Sequence, residues 1–325
     1  MDRKARLLGN ADRNSRILEI GPSYNPVAPK TAGWNTQIVD HAEREELRAK
    51  YAEAGVALDA IETVDWLWRD CALHEALPEE WRNHFDRLIA SHVIEHTTDF
   101  VGFLKSAEHL LRQDGTIALA VPDRRFCFDC FRPATTSGEL LEAYAQRRTR
   151  HSLRTAWDQT AYAVSMDGKL GWDQFQTGTP VFLDAFSTAA AVLAQFSDDP
   201  AASYVDYHAW RFTPAGFRLA ILELGQLGLI DWRVDETHGP DNFEFFVFLR
   251  RGATRFEDTR KLQAARLELL HLQWLETREQ AHIALATEPA DATSVHSRPL
   301  AIPPNPQQTA HPVRRLIGRL ISRYR

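Results

Sequence analysis

The sequence predicts an α/β fold: a seven-stranded, mostly parallel sheet with a long insertion between strands five and six and a C-terminal helical tail. Three observations predict it. Short apolar runs alternate with helical patterns through the first 125 residues, the β-α-β order that builds a parallel sheet covered by helices. The first run, Arg16-Ile-Leu-Glu-Ile20, breaks at once on Gly21-Pro22, a turn whose glycine lets the backbone approach a ligand. The second run ends on Asp40, 21 positions after Glu19. An acid about 20 residues beyond a strand–glycine turn takes ribose hydroxyls in a Rossmann-like nucleotide site.

The elements follow in order. Candidate strands are Arg16–Ile20, Thr36–Asp40, Ala60–Asp65, Phe85–Ser91 and Thr116–Val121. Glu43–Ala54 and Asp99–Leu111 read as helices. In the second, Phe100, Phe103, Leu104, Ala107, Leu110 and Leu111 recur at helical spacing, and Gln113-Asp-Gly115 stops it. From Arg124 to His208 the pattern breaks into a stretch rich in Trp, Phe, Thr and Asp, without strand periodicity. Its length marks it as a functional insertion, read as a lid. Thr213 can cap the next helix with Pro214 at its first position, and this helix should run to about Leu227. Leu229–Val234 and Phe243–Leu249 are strands six and seven, joined by the turn-rich His238-Gly-Pro-Asp-Asn242. The expected organisation is one domain over 1–251, with its insertion at about 124–208. A helical extension over 252–287 follows, with Phe256–Leu285 as its helical pattern, then a disordered linker over 288–310 and a basic amphipathic tail over 311–325.

Composition limits the function. Of the 325 residues, 44% are apolar and 25% charged, as in an ordinary soluble protein. A net charge of -6 argues against general nucleic-acid binding, which needs a basic face. The N-terminal Met1-Asp-Arg-Lys-Ala-Arg6 has no apolar signal-peptide core, and the apolar stretch Phe186 to Phe196 is too short to span a bilayer. Three cysteines cannot complete a disulfide framework, which fits the cytoplasm. Cys127 and Cys130 have zinc or redox spacing, but without a second pair they read as two buried thiols, and no metal site is expected. The tail carries Arg314, Arg315, Arg319, Arg323 and Arg325 with no acid. It is expected to meet an acidic protein or the inner membrane face, making the chain peripheral there.

The turn after the first strand has one glycine where a dinucleotide site needs more. Glu19 beside it would repel a diphosphate and welcome a cationic amino group. That favours S-adenosylmethionine over a nicotinamide cofactor. The blocks Leu18-Glu-Ile-Gly21, Val39-Asp40, Phe85-Asp86, Ala90-Ser-His-Val-Ile-Glu-His96 and Leu111–Gly115 resemble, in order and spacing over about residues 15–125, the class I S-adenosylmethionine-dependent methyltransferases. The branch they resemble is the type 11 methyltransferase domain. The resemblance implies that Glu19 and Gly21 hold the methionine part of the cofactor while Pro22 and Ser23 shape the turn. It implies that Asp40 takes both ribose hydroxyls, that His41 flanks the adenine, and that the third-strand tip, with Asp65 and Asp70, reaches the adenine amino group. Ser91 and His92 would face the sulfonium, and Glu95-His96 would shape the cofactor shell. The chain departs from the family pattern at Gly21-Pro-Ser23 and at the third-strand tip, which has no unambiguous acid.

The acceptor side is read from the residues after strand five. Asp123 and Arg124, with Arg125, can orient a polar or anionic acceptor, or fasten the insertion to the sheet as an internal ion pair. His151 and His208 are candidate general bases, His208 favoured by its neighbours Tyr207 and Trp210. The expected function is methyl transfer from S-adenosylmethionine to a small-molecule, polar acceptor, with a sugar or glycan-pathway intermediate in view. The alternative is a non-catalytic scaffold of the same fold that binds a partner or membrane through its C-terminal helices. The Glu19/Asp40 pair, which a scaffold does not need, argues against it.

Overall fold

The computed structural model describes residues 2–197, 199 and 204–285. Its strands are β1 Ile17–Ile20, β2 Thr36–Asp40, β3 Trp66–Leu67, β4 Phe85–Ser91, β5 Leu111–Pro122, β6 Val164–Met166, β7 Pro180–Phe182, β8 Trp232–Asp241 and β9 Glu244–Arg251. Its α-helices are α1 Arg3–Leu8, α2 Arg44–Tyr51, α3 Phe100–Leu110, α4 Ser137–Ala145, α5 Leu153–Tyr162, α6 Phe186–Gln195, α7 Pro214–Gln226 and α8 Thr259–Leu285. Seven strands form one sheet in the order β3-β2-β1-β4-β5-β9-β8. The first five are parallel to their neighbours, while β9 runs antiparallel to β5 and β8 to β9. The chain steps outward from β1 to β3 and then restarts at β4 on the other side of β1. The loops leaving β1 and β4 therefore diverge, and a crevice opens at the carboxyl ends of those strands.

Local chemistry explains the helices. Asp99 caps α3 by accepting from the Gly102 amide at 2.8 Å, and the apolar stripe of α3 is buried against the sheet. Thr213 caps α7 through the Gly216 amide at 3.3 Å, with Pro214 in the first turn. Phe217 on α7 packs edge-on against Phe212, Phe100 and Phe245 at centroid distances of 5.2, 5.7 and 6.1 Å. This aromatic cluster joins α3, α7 and β9. At the other face, the buried Arg87 of β4 donates to the carbonyls of Leu7 and Leu8 and to Asn10 Oδ1, which fastens the end of α1.

Several expectations are corrected. The third strand is not Ala60–Asp65; its pairing with β2 is confined to Trp66 and Leu67. Asp65 therefore precedes β3 rather than ending it. Its carboxylate takes the Ile38 amide at 2.7 Å and Lys30 Nζ at 2.5 Å, a strand-fastening position. The segment after β5 is more regular than its composition suggests. It holds α4, α5, the β6–β7 hairpin and α6, with α4 started by a capping box between Thr136 and Glu139 and α5 by Ser152. The sixth strand of the sheet starts later and extends through Asp241, because hydrogen bonding to β9 continues along a polar edge. The expected linker 288–310 and tail 311–325 lie outside the described residues. Among the described residues, no helix is long and apolar enough to cross a membrane. Helix α8 lies against α7: the Ala215 amide donates to the Glu276 carboxylate at 3.2 Å, and Arg266 pairs with Glu223 at 2.7 Å.

Phe217→Ala should lower the unfolding free energy by about 3–5 kcal/mol, read from urea denaturation with the m-value unchanged. A loss under about 1 kcal/mol would mean the aromatic cluster does not tie α7 to the sheet.

Candidate active site

The first group of candidate residues is built at the tips of β1 and β2. Gly21 has φ 59 and donates its amide to Val39 O at 2.7 Å. A Cβ there would meet Val93 Cγ2 at 3.0 Å, so both the left-handed backbone and the closeness of the β4 loop require glycine. Glu19 is buried, and its two oxygens accept from the Val27 and Ala28 amides at 2.6 and 3.1 Å. It braces the loop after the turn from below. Burial pushes its carboxyl up to about 7 against the pull of those two amides. Asp40, also buried, takes the Ser23 amide at 3.3 Å on one oxygen and the His41 amide at 2.7 Å on the other. His41 Nδ1 stands 2.7 Å from the same oxygen. The second acid thus links the β1 turn to the β2 tip. Pro22 lies within that turn, and Asp70, with φ 51, stands beyond the carboxyl end of β3.

Where β4 ends, two separate networks begin. Arg3 of α1 donates to Glu244 at 2.7 and 2.9 Å and to Ser91 Oγ at 2.6 Å. His92, at φ 54, sets Nε2 2.7 Å from Glu244 Oε2. Burial raises the Glu244 carboxyl, but the bonds from His92 and Arg3 outweigh it and bring it down to about 2. The second network joins β4 to the segment after β5. The Glu95 carbonyl accepts from the Ala209 and Trp210 amides at 2.7 and 3.2 Å, which brings His208 beside His96 at a ring separation of 4.6 Å. His208 Nδ1 lies 2.5 Å from Asp129 Oδ2, and Asp129 Oδ1 accepts from the fully buried Arg132 at 2.5 Å. Burial opposes ionisation of Asp129, yet Arg132 and His208 hold it well below the usual carboxylate range. His96 Nδ1 lies 3.0 Å from Asp206, and His151 reaches the same acid at 3.8 Å and Tyr204 Oη at 2.9 Å.

A family model described as a methyltransferase domain matches residues 1–172 of the 325. The chain belongs to that family. S-adenosylmethionine is the methyl donor of this methyltransferase. No curated protein matches its sequence. Among solved structures it is similar to putative Zn-dependent alcohol dehydrogenases from Rhodobacter sphaeroides, at 15% identity over 78% of this chain and 91% of that one, with a TM-score of 0.42. It is also similar to the CcbJ methyltransferase from Streptomyces caelestis, at 14% identity over 77% and 94% of the two chains and a TM-score of 0.39. A third is an S-adenosylmethionine dependent methyltransferase from Mesorhizobium loti, at 12% identity over 75% and 95% and a TM-score of 0.39. Similarity at this level says nothing about the acceptor.

In the methyltransferase, the residues read from sequence, Asp65 and Asp70 near β3 apart, fall into three groups. Glu19, Gly21, Pro22, Ser23, Asp40 and His41 come together at the β1–β2 tips. Ser91, His92, His96, His151 and His208 line the ends of β4 and the segment facing it. Asp123 and Arg124 belong to neither. Asp123 is fully buried and bonded to Arg125 at 2.9 and 2.7 Å, while Arg124 donates to the carbonyls of Cys130 and Arg132. Both side chains are buried in the arrangement of the fastening alternative. Cys127 and Cys130 are free, buried thiols; burial pushes Cys130 up to about 12 and Cys127 up as well. Sequence reasoning missed Asp129, Arg132, Asp206 and Glu244, each brought to the site by a contact too distant along the chain to leave a local signal.

Glu244→Gln should destabilise the protein by about 2–3 kcal/mol at neutral pH. The folded-state pKa lies below the free value, so this stabilisation is present above about pH 4.5 and lost as pH falls towards about 2. The difference between wild type and variant in chemical denaturation should shrink through that window; a constant difference would contradict it.

Proposed function

We propose that this methyltransferase moves the methyl group of S-adenosylmethionine to a small polar acceptor such as a sugar or another glycan-pathway intermediate. The observation that carries the reading is the Gly21 turn with its two buried carboxylates, Glu19 below and Asp40 across, in a chain of the methyltransferase family. Glu19 and Gly21 would shape the bed for the amino-acid end, Asp40 and His41 would meet the ribose and adenine side, and Ser91 and His92 would stand nearest the reacting end. The bound donor supplies an electrophilic methyl on a sulfonium, so the protein's work is holding, aligning and drying the two reactants. Beside the rings of Phe128 and Phe243, this side gathers the imidazoles of His96, His151 and His208 and the carboxylates of Asp129 and Asp206, which supports a polar, hydroxyl-bearing acceptor. His208, its Nδ1 held by Asp129, offers Nε2 on that side.

Calorimetry with S-adenosylmethionine should give saturable binding at one site per chain. Asp40→Ala should weaken it by about 2–3 kcal/mol, roughly 30- to 150-fold, with the fold intact by circular dichroism. Absence of binding to the wild-type protein would sink the proposal.

A further inference from the structure

Glu95 is 1% exposed, and among the described residues neither of its carboxylate oxygens has a hydrogen-bond partner. His92 Nδ1 and His96 Nε2 face Oε1 from 3.6 and 3.7 Å, beyond hydrogen-bond reach. A buried carboxylate without a partner is unfavourable unless a cation completes it. One ligand atom each from Glu95, His96 and His208 lies within 4.8 Å of the other two. Behind both imidazoles stands a carboxylate: Asp129 Oδ2 at 2.5 Å from His208 Nδ1, and Asp206 Oδ1 at 3.0 Å from His96 Nδ1. An acid behind one ring nitrogen is the outer arrangement that orients metal-binding histidines.

We propose that Glu95, His96 and His208 bind a divalent first-row transition-metal ion, zinc being the best match to two imidazoles and one carboxylate. In a tetrahedral zinc site with bonds of about 2.1 Å the ligand atoms stand roughly 3.4 Å apart. The Glu95–His96 pair is near that spacing, and small side-chain rotations close the set. The backbone is already arranged for it. Ala209 and Trp210 donate to the Glu95 carbonyl, Arg132 donates to the His208 carbonyl at 2.9 Å, and Gln159 Oε1 accepts from the His208 amide at 2.6 Å. Three protein ligands leave coordination positions open. An acceptor oxygen bound there would become more acidic, and coordination would take the place of proton transfer to His208. This consequence rests on the methyl-transfer reading; the metal site itself does not.

The test uses the full chain, stripped with a chelator and titrated with Zn2+ by calorimetry and with Co2+ by visible absorption, without donor or acceptor. Expected are one ion per chain and visible Co2+ bands. Glu95→Gln and His208→Gln should each weaken binding by about 100-fold or more, and Asp129→Asn, a positioning change, by about 10- to 100-fold with a shifted Co2+ spectrum. Metal-free Glu95→Gln should melt no lower than metal-free wild type, yet lose the rise in Tm that Zn2+ gives the wild-type protein. Wild-type binding weaker than about 100 µM, or unchanged binding in Glu95→Gln, would overturn the proposal. Donor binding, measured separately with S-adenosylmethionine and Asp40→Ala, can fail without touching this result.

Discussion

One carbonyl oxygen, that of Glu95, joins the two halves of the site. It lies just past β4 and accepts from two successive amides, Ala209 and Trp210, that belong to a segment more than a hundred positions away. Trp210 adds a bond from its indole to Thr97 Oγ1 at 3.1 Å. Everything on the acceptor side follows from this clamp. It puts His208 beside His96, and it closes the strand end under a layer that the sheet alone cannot provide. Two backbone bonds hold register more tightly than side-chain contacts would, because neither amide has a rotamer to lose.

Around the clamp the second layer is held by guanidinium groups as well as by small apolar clusters such as Phe126, Val164, Met166 and Trp172. Arg124, Arg125, Arg132 and Arg211 are all buried, and each reaches a carbonyl or a carboxylate: Arg211, for example, donates to Pro133 O, Ala209 O and Glu139. A rigid fork of donors can satisfy several loop carbonyls at once, which lets irregular backbone be buried without penalty. It also explains the polar composition of the segment between β5 and α7.

That polarity decided what could be read from sequence. β1, β2 and β4 announce themselves because both faces of a central parallel strand are covered, so Leu88–Ala90 is an unbroken apolar run and Ile17–Ile20 is apolar except for Glu19. α3 and α7 carry apolar stripes and side-chain caps. β3 was misplaced because Ile61 and Val64 look like strand residues, whereas hydrogen bonding to β2 selects only Trp66 and Leu67. In the second layer, arginine and threonine fill positions where periodicity would have shown, and the capping residues Thr136 and Ser152 were the remaining signals. The meeting of Glu19 and Asp40 at the tips of β1 and β2 was legible through their spacing. The partners of the histidines were not: Asp129 and His208 are 79 positions apart, and His92 and Glu244 are 152 apart.

The long excursion after β5 leaves and returns at one point of the sheet. Asp123 and Phe212 form a parallel bridge, and Arg124 donates its amide to Phe212 O at 2.9 Å. A detour whose entrance and exit touch puts no demand on the strands flanking it, since loop closure costs little more as a loop lengthens. It can be shortened, extended or replaced while the registers of β5 and β9 stay as they are. Evolution can therefore rewrite a whole layer of the protein without reopening how the sheet folds.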